Sequence, residues 1–488
     1  MTVVQMQSNI DPNYVRMLAA QGDMALLESF TVARPSVAER LAAGKALRTK
    51  VPRASHARYE KAADRPDPVA ILEQQNVTRV QKLVPVRYAR MLASPFAFLR
   101  GSAAVMACDL SNTPVTGMQV AACGDMHVAN FGLYASAERN LVFAINDFDE
   151  VYPGPWEWDL KRLATSGAVA VRFMGGDKDD AVAAARAIVR SYRRHIRQYA
   201  EMGYLQVWYE HINEGVILDA LSRRERRGAE RTMAAARAKG HIRTLEKMTN
   251  QVDGEHRIVE DAPLIVRETH VATGTRVDVA LDHMLRAYLD SLPNDRRRLL
   301  SRYRIIDVAR KVVGVGSVGS ACWVILLQGV DGDDPLFLQV KEAQPSVLSP
   351  YVDTKIQVEN QGQRVVVGQR LTQGSPDIFL GWGHTEGKDF YVRQLADMKG
   401  GVKFVGGRKE KLDDFDGYWG LCGWALALAH AKSGDPAMLS GYVGKSEELD
   451  EAMVSFGRAY ADQTEQDYEM LQAAAAQGRI QVAEGDVV

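Results

Sequence analysis

The chain has 488 residues, of which 46% are hydrophobic and 25% are charged, and its formal net charge is −1. This length and balance are typical of a globular protein with more than one domain-sized unit and a sizeable core. Because the net charge is close to zero, no global attraction to nucleic acid or to a membrane surface is expected.

Cysteine usage and the N-terminal sequence indicate where the chain works. The four cysteines form no C-x-x-C pair, which argues against a zinc knuckle and against a disulfide-stapled secreted fold. The first residues lack a basic region followed by an apolar stretch, so no signal peptide is predicted. The longest weakly polar run, residues 420–431, is too short to span a bilayer. We therefore expect a cytoplasmic protein without membrane contact. The cysteines are Cys108, Cys123, Cys322 and Cys422.

The first predicted unit is a helical arm over residues 1–85. Its sequence is charged and mostly compatible with helix. Residues 51–53 and 63–68 contain proline and polar residues and are predicted to be loops. This arm could lie over the main body of the protein.

The second predicted unit covers residues 86–300 and is mainly helical. Short apolar segments at 118–122 and 140–145 predict two strands, each of which ends in a cluster of polar residues. Helical spacing of apolar residues follows in three segments: from 159 to about 200, over 217–250 and over 282–300.

The third predicted unit, residues 301–400, is rich in strands, and the fourth, residues 401–488, is again helical. A glycine cluster follows the first strand of the third unit, and a helix over 354–373 precedes the last one. The order of helices, strands and helices predicts an α+β fold. The predicted strands are 303–313, 321–327, 336–340 and 389–395, and the last helices are 418–431 and 448–475.

Polar residues cluster where the two strands of the second unit end. Asp125 and Asn130 lie on the loop after the first strand, and Asp147 and Asp149 follow the second. Phosphoryl transfer needs a carboxylate that orients the acceptor and takes its proton, and oxygen ligands that hold Mg²⁺ against the phosphates. We therefore predict Asp125 and Asp147 as catalytic residues, and Asn130, Asp147 and Asp149 as metal ligands. Ordinary turn residues have the same composition, but their shared position at strand ends favours a site.

The histidine of this loop has two interpretations. His127 could serve as a ligand or a base, but a histidine in such a loop more often fixes the loop by hydrogen bonds. We favour the second interpretation.

The second group of candidate residues begins with a G-x-G-x-x-G pattern at residues 314–319. A dinucleotide-binding fold would continue into a helix, whereas here an apolar, β-branched strand candidate follows. Strand, glycine turn and strand are typical of the hairpin that covers the phosphates in protein kinases. The predicted nucleotide-binding residues of the turn are Gly314, Gly316, Ser317 and Gly319.

A lysine and a glutamate complete this second group. Lys341 ends the next strand, where a strand lysine would reach the α- and β-phosphates, and we predict that it is catalytic and binds nucleotide. The helix that follows should supply an acid that holds this lysine, and Glu359 is the best-placed candidate. A structural hairpin with a surface lysine is the alternative.

Several segments resemble known families. Residues 124–127 with Asn130 and Asp147 resemble the catalytic loop and metal aspartate of aminoglycoside-phosphotransferase-like kinases. Residues 154–160 (GPWEWDL) resemble the segment of those kinases whose aspartate, here Asp159, braces the catalytic loop. The chain as a whole is similar to DUF2252, a bacterial family of unknown function. That similarity lies in residues 52–53, 94–101, 124–132, 146–150, 154–163, 364–370, 391–395 and 427–435.

The order of the parts differs from that of ordinary kinases, in which the glycine hairpin and the lysine come first. The resemblance therefore implies a two-lobed, protein-kinase-like fold that is circularly permuted and carries a helical N-terminal extension. We predict that residues 121–150 pack beside residues 415–432, beneath a β-rich lobe formed by residues 303–395. We also predict that Lys341 lies close to Asp147.

The expected function is an ATP- and Mg²⁺-dependent phosphotransferase that acts on an unknown acceptor, either a small molecule or a protein. One alternative is a metal-dependent phosphoesterase or other hydrolase, although the further histidine and aspartate ligands of such sites are missing from the sequence. Others are a nucleotidyltransferase and a catalytically silent nucleotide-binding protein of kinase-like fold. The sequence does not indicate an oligomeric state.

Overall fold

A computed structural model describes residues 33–271, 274–330, 334–353, 358–395 and 398–484. The first part of the predicted N-terminal arm, residues 1–32, lies outside the described residues. The helices are α1 (Val37–Ala46), α2 (Pro68–Asn76), α3 (Val84–Met91), α4 (Pro95–Gly101), α5 (Ala103–Leu110), α6 (Trp156–Phe173), α7 (Lys178–Tyr199), α8 (Tyr204–Tyr209), α9 (Glu214–Ala220), α10 (Arg223–Arg237), α11 (His241–Met248), α12 (Val277–Ser291), α13 (Asn294–Leu300), α14 (Gln361–Gln373), α15 (Asp416–Ser433), α16 (Pro436–Val443) and α17 (Glu448–Ala476). The strands are β1 (Gln119–Ala122), β2 (Phe131–Ala135), β3 (Leu141–Ile145), β4 (Tyr152–Pro155), β5 (Ile212–Asn213), β6 (Thr249–Val252), β7 (Glu255–Ile258), β8 (Ile265–Val266), β9 (Arg304–Lys311), β10 (Cys322–Gln328), β11 (Pro335–Ala343), β12 (Gly381–Thr385) and β13 (Lys388–Gln394).

The fold is α+β, as the sequence predicts, and its largest sheet is antiparallel with the strand order β12-β13-β11-β10-β9-β8. The central strands β10 and β11 pair from Cys322 opposite Lys341 to Gln328 opposite Pro335. Both strands are buried along nearly their whole length because the sheet is covered on both faces. Their near-continuous apolar sequence follows from this double burial, since successive side chains point to opposite faces.

Helix α12 covers one face of the sheet, where Tyr288 packs against Ile325 and Leu338. The other face carries a second apolar cluster that includes Val324, Phe337 and Leu245 of α11. Two glycines of β12 permit the close approach of α12: a Cβ atom on Gly383 would lie 2.7 Å from the Met284 carbonyl oxygen.

The helical part of the molecule is built around α6, α7, α15 and α17, whose apolar residues form the largest core cluster. Helix α7 begins at a capping box in which the Asp177 side chain accepts from the Asp180 backbone N–H. Helices α7 and α15 approach closely at Gly423, where a Cβ atom would lie 2.1 Å from the Ile188 carbonyl oxygen. A larger residue at this position would separate the two helices.

Two small sheets, β1 with β4 and β2 with β3 and β5, carry the polar loops of the second unit. These loops pack beside α15, since Ser433 Oγ accepts from the Ala121 N–H at 3.1 Å and Tyr418 donates to the Val128 carbonyl at 2.6 Å. The predicted contact between residues 121–150 and 415–432 is therefore confirmed.

The sequence does not indicate seven of the strands: β2, β4, β5, β6, β7, β8 and β12. β4 (YPGP) and β12 (GWGHT) contain proline or glycine, which have low strand propensity, and each is held in place by its neighbouring strand. The β-rich unit also begins before residue 301, because β8 pairs with β9, and α12 packs on β12.

Within the described residues, no helix combines the length and apolarity needed to cross a membrane. The four cysteines are free thiols, and three of them are buried.

Candidate functional site

A cleft of about 270 Å³ lies between the six-stranded sheet, the loops after β1 and β3, and the N-terminal helices α2–α5. Most of the residues that the sequence singles out meet there, although they come from distant parts of the chain. The predicted site residues that line the cleft are Asp125, Asn130, Asp147, Asp149, Gly314, Gly316 and Ser317.

The loop after β1 is held by a buried aspartate on the first turn of α6. Asp159 accepts hydrogen bonds from the N–H groups of Cys123 at 2.6 Å and Gly124 at 3.0 Å. Gly124 adopts a φ of 75°, and a Cβ atom there would lie 2.9 Å from the Glu150 carbonyl oxygen. Glycine is therefore required at 124, and Asp159 has the bracing contacts that the resemblance to the phosphotransferases implies.

Asp125 is positioned by Arg162, a residue that the sequence analysis did not select. The guanidinium donates to Asp125 Oδ1 at 2.5 Å and 3.2 Å, and also to the Leu99 carbonyl at 2.7 Å. Arg162 follows Asp159 by about one helical turn, so the two side chains reach the same loop from one face of α6. That spacing is the sequence signal that could have identified Arg162.

His127 lies beside Asp125, with 3.8 Å between His127 Nε2 and Asp125 Oδ2. Burial lowers the pKa of His127 to about 4, although the Asp125 carboxylate opposes this effect. The imidazole is therefore neutral at pH 7. Its Nδ1 atom has no hydrogen-bond partner among the described residues, so it does not anchor the loop in the way we favoured from the sequence.

Asn130 joins the two polar loops. Its Oδ1 accepts the Asp147 N–H at 2.8 Å, and its Nδ2 donates to the carbonyl oxygens of Asp147 at 3.1 Å and Asp125 at 3.3 Å. The amide thus fixes the distance between the candidate base and the candidate metal residue. Its oxygen is already engaged by a backbone N–H, which differs from the predicted role of Asn130 as a direct metal ligand.

Lys341 reaches across from the sheet to the loop after β3. Its ammonium donates to Asp149 Oδ2 and lies 3.8 Å from Asp147 Oδ2, so the predicted proximity of Lys341 and Asp147 is confirmed. Tyr391 donates to Asp149 Oδ1 at 2.8 Å. The lysine side chain is only 2% exposed.

The charges of this group perturb one another. Burial alone would raise the pKa of Asp147, but Lys341 and Arg393 outweigh it and hold that pKa at about 2. Burial and the Asp147 charge raise the pKa of Asp149. Burial lowers the pKa of Lys341, but the two carboxylates reverse this and raise it above its usual value. Asp147 and Lys341 are therefore charged at neutral pH.

Glu359 is exposed, and the structure does not bring it to Lys341. Helix α14 instead presents the buried Arg364 to the loop after β3. Its guanidinium donates to the carbonyl oxygens of Asp149 at 2.8 Å and Val151 at 2.5 Å. The helix next to Lys341 thus supports the backbone of this loop with a cation. The carboxylates that pair with the lysine come from the loop itself.

The glycine turn lies over Asp125. A Cβ atom on Gly316 would be 3.0 Å from the Arg100 carbonyl oxygen and 3.9 Å from Asp125 Oδ2. The turn is held by the N-terminal helices, since Arg90 donates to the Gly314 carbonyl at 2.6 Å. Gly314 and Gly319 both have positive φ, at 68° and 90°, which explains glycine at these positions.

A family profile described as "Uncharacterized protein conserved in bacteria (DUF2252)" matches residues 79–474. The chain belongs to this family. No curated protein and no solved structure matches the chain. The matched range of the DUF2252 chain contains both polar loops, the glycine turn and Lys341.

The cleft of this DUF2252 protein also contains hydrogen-bond donors that lack acceptors. Three arginines from α2–α4 and their flanking segments, together with His127, line the cleft and carry buried nitrogen atoms without a partner among the described residues. Buried donors are normally satisfied, and arginine donors suit carboxylate or phosphate oxygens. These free donors of the cleft therefore suit an anion. The unpartnered arginine atoms are the Nε atoms of Arg79, Arg87 and Arg100.

The acidic residues fit Mg²⁺ only in part on their own. In the portion of the chain that the structure describes, no group of three or more histidine, cysteine, aspartate or glutamate side chains is arranged to hold a metal ion. Asp147 and Asp149 provide two carboxylates at one point of the cleft. Mg²⁺ is commonly bound by one or two carboxylates, with phosphate oxygens and water completing its coordination. The donor set fits a metal that arrives with a phosphorylated ligand.

Proposed function

We propose that this protein is an ATP- and Mg²⁺-dependent phosphotransferase that acts on an acceptor of unknown identity. The observation that carries the proposal is the meeting of the Lys341 ammonium with Asp147 and Asp149, two carboxylates that line one cleft together with Asp125 and the glycine turn. A lysine at the end of a strand, a glycine turn and loop carboxylates are the parts that kinase-type phosphoryl transfer requires.

The order of elements around Lys341 supports a kinase-like β-rich lobe. Strand β9, the glycine turn, β10, β11 with Lys341 and helix α14 follow one another in the chain, which is the order of the glycine loop, the strand lysine and the next helix in protein kinases. The loops with Asp125 and Asp147 precede this lobe in the chain instead of following it. We infer a circular permutation. One part departs from the pattern: α14 (QGQRVVVGQRLTQ) has no acidic residue that could pair with the lysine.

In the proposed mechanism Asp125 orients the acceptor and takes its proton. Arg162 places a positive charge against Asp125 and fixes its direction through two hydrogen bonds. The 26% exposure of the Asp125 side chain leaves it accessible from the cleft. His127 is neutral and adds no charge beside the base.

Asp147 and Asp149 would hold Mg²⁺, which supplies positive charge that neutralises the phosphates when it is bound. Lys341 places its ammonium beside both carboxylates. It would contact the phosphate oxygens when the two carboxylates hold Mg²⁺. Arg79 and Arg100 line the same cleft, and their unpartnered donors add positive charge there. Positioned charges of this kind act strongly because little solvent reorganisation is needed.

The position of the label transferred from ATP tests the proposal and separates it from its alternatives. The protein would be incubated with Mg²⁺ and ATP labelled at either the γ- or the α-phosphate, and the products separated. We expect ADP as one product. The γ-label should appear on an acceptor or, when no acceptor is present, should be released slowly as phosphate. Transfer of the α-label with release of pyrophosphate would show nucleotidyl transfer instead. ATP that stays intact would contradict both activities.

A further inference from the structure

A second cavity, of about 260 Å³, lies on the opposite face of the six-stranded sheet, between the sheet and α12. Its walls are mainly apolar. The sheet contributes Val308, Val340 and Phe390, and α12 contributes Leu281 and Met284. Small-molecule sites are typically apolar cavities with a few polar groups that fix the orientation of the ligand.

Three polar groups that line this cavity have no partner among the described residues: Arg310 Nη1, Trp323 Nε1 and Thr385 Oγ1. Arg310 is only 4% exposed, so water does not readily satisfy its free donor. A buried donor without an acceptor destabilises the folded protein. Arg310 and Trp323 are directly opposite each other on β9 and β10, so the two residues that carry the unsatisfied nitrogen donors are neighbours in the sheet.

The charges at this end of the cavity are unbalanced. The Lys82 ammonium and the Arg310 guanidinium both donate to Glu268 Oε1, at 2.9 Å and 2.7 Å. One carboxylate is thus shared by two cations. Elsewhere on the wall, Lys388 donates to Glu342 at 3.0 Å, and Glu386 accepts from the neutral Thr275 hydroxyl at 2.9 Å. An anion at Arg310 would accept a hydrogen bond from its free Nη1 donor.

We propose that this cavity binds a small apolar carboxylic acid. Its carboxylate accepts hydrogen bonds from Arg310 Nη1 and Trp323 Nε1, and its hydrocarbon body lies between the sheet and α12. A charge-assisted pair with arginine supplies orientation, and the apolar walls supply most of the binding energy. The site does not depend on the phosphotransferase proposal, because it lies on the other face of the sheet.

Isothermal titration of the full chain with octanoate, 1-octanol and octylamine tests this site. Each compound would be used below the concentration at which it aggregates. We expect saturable binding of one octanoate per chain, with an affinity at least about 10-fold above that of octanol. Octylamine should not bind, because Lys82 and Arg310 repel it. Equal affinity for octanoate and octanol, or no saturable binding of octanoate, would overturn the proposal.

Variants locate the binding site. Arg310→Gln and Trp323→Phe each remove one donor, and each should weaken octanoate binding about 10-fold while leaving the affinity for octanol unchanged. Trp323→Phe keeps the aromatic packing, so it tests the site even if Arg310→Gln does not fold. Leu281→Phe fills the cavity and should abolish binding. Leu285→Phe, on the same helix but away from the cavity lining, is the matched control. Unchanged octanoate affinity in both Trp323→Phe and Leu281→Phe would exclude this cavity.

Discussion

The two faces of the six-stranded sheet have opposite chemistry, although neighbouring residues of the same strands build them. Lys341 and Tyr391 reach the acidic loop of the cleft, while the adjacent Val340 and Phe390 line the apolar cavity under α12. Because successive side chains alternate between faces, β11 and β13 each contribute residues to both sites. A shift of one residue in strand register would exchange the two environments, and this constrains β11 and β13 strongly.

The faces also differ in how the polar side chains of the sheet strands themselves are satisfied. On the cleft face, Lys341 is paired by carboxylates that arrive from a different part of the chain. On the cavity face, Arg310 and Trp323 retain donors without partners among the described residues. The cleft is thus a preassembled charged site, whereas the cavity is an apolar space with a polar end. Variants on the two faces test whether they differ in this way.

The largest effect is expected at Asp125. Asp125→Asn removes the proposed base but keeps the size of the side chain, so phosphoryl transfer should fall by about 100- to 10,000-fold. The affinity for Mg²⁺·ATP should stay within about 3-fold, because Asp125 acts on the acceptor and not on the nucleotide. Release of labelled phosphate and calorimetric titration measure the two quantities. Undiminished transfer would remove Asp125 from the mechanism.

Lys341 provides the most direct comparison between the two faces. Lys341→Met should weaken Mg²⁺·ATP binding about 100-fold, because it removes the buried charge that we propose contacts the phosphates. Lys82→Met is the control, since Lys82 also pairs with a carboxylate, Glu268, and both residues line the opposite cavity. Its nucleotide affinity should stay within about 3-fold of the wild type. Similar losses of Mg²⁺·ATP affinity in both variants would mean that nucleotide binding does not depend specifically on the cleft face.

Arg162 is expected to act through Asp125 as a positioning residue. Arg162→Lys keeps the charge but cannot reproduce both hydrogen bonds to Asp125 and the bond to the Leu99 carbonyl. We expect transfer to slow about 10-fold with unchanged nucleotide affinity. Arg172→Lys, on the same helix and paired with Asp462, is the control and should transfer at the wild-type rate. Equal rates in both variants would exclude the positioning role.

Glu150 offers the smallest effect, on stability and its dependence on pH. Burial raises the pKa of this cleft residue from 4.5 to about 7, against the opposing hydrogen bond from the Val347 N–H. The folded state then holds a proton that the unfolded state has released, so stability falls as pH rises from 4.5 to 7 and is level above that range. Glu150→Gln should therefore be more stable than the wild type at pH 8 by about 1–3 kcal/mol.

Urea denaturation at pH 4.5 and pH 8 measures this difference. The gain in Glu150→Gln should vanish at pH 4.5, where the wild-type carboxyl is protonated in the folded state. Glu469→Gln, at an exposed position on α17, should show no such pH dependence. A Glu150→Gln variant that is less stable than the wild type at pH 8 would mean that the buried carboxylate is stabilised by its surroundings.

The residues of the candidate cleft that the sequence locates are those with local signals. Apolar strands followed by polar loops locate Asp125 and Asp147, and the glycine turn between two strands locates the cover of the cleft. Lys341 follows from its position on the next strand. Each of these signals depends on residues within one segment of the chain, so no long-range contact has to be known in advance.

The parts that the sequence misses depend on contacts between distant segments. Arg79 and Arg100 reach the cleft only because the N-terminal helices pack against the glycine turn. The helix after Lys341 suggests Glu359 as its partner, yet the acidic partners come from the loop after β3. β12 lacks strand propensity and forms because β13 pairs with it while α12 packs across its glycines. Tertiary packing decides all three outcomes.

The central claim is tested most directly by Mg²⁺-dependent ATP binding to the wild type and to Asp147→Asn, measured by calorimetric titration with and without EDTA. Asp147→Asn keeps the shape of the side chain and its backbone bond to Asn130 but removes the charge beside Lys341. The account predicts that the wild type binds ATP only when Mg²⁺ is present and that Asp147→Asn loses this binding by at least about 100-fold. Equal Mg²⁺·ATP affinity in the two proteins, or no binding to the wild type, would contradict it.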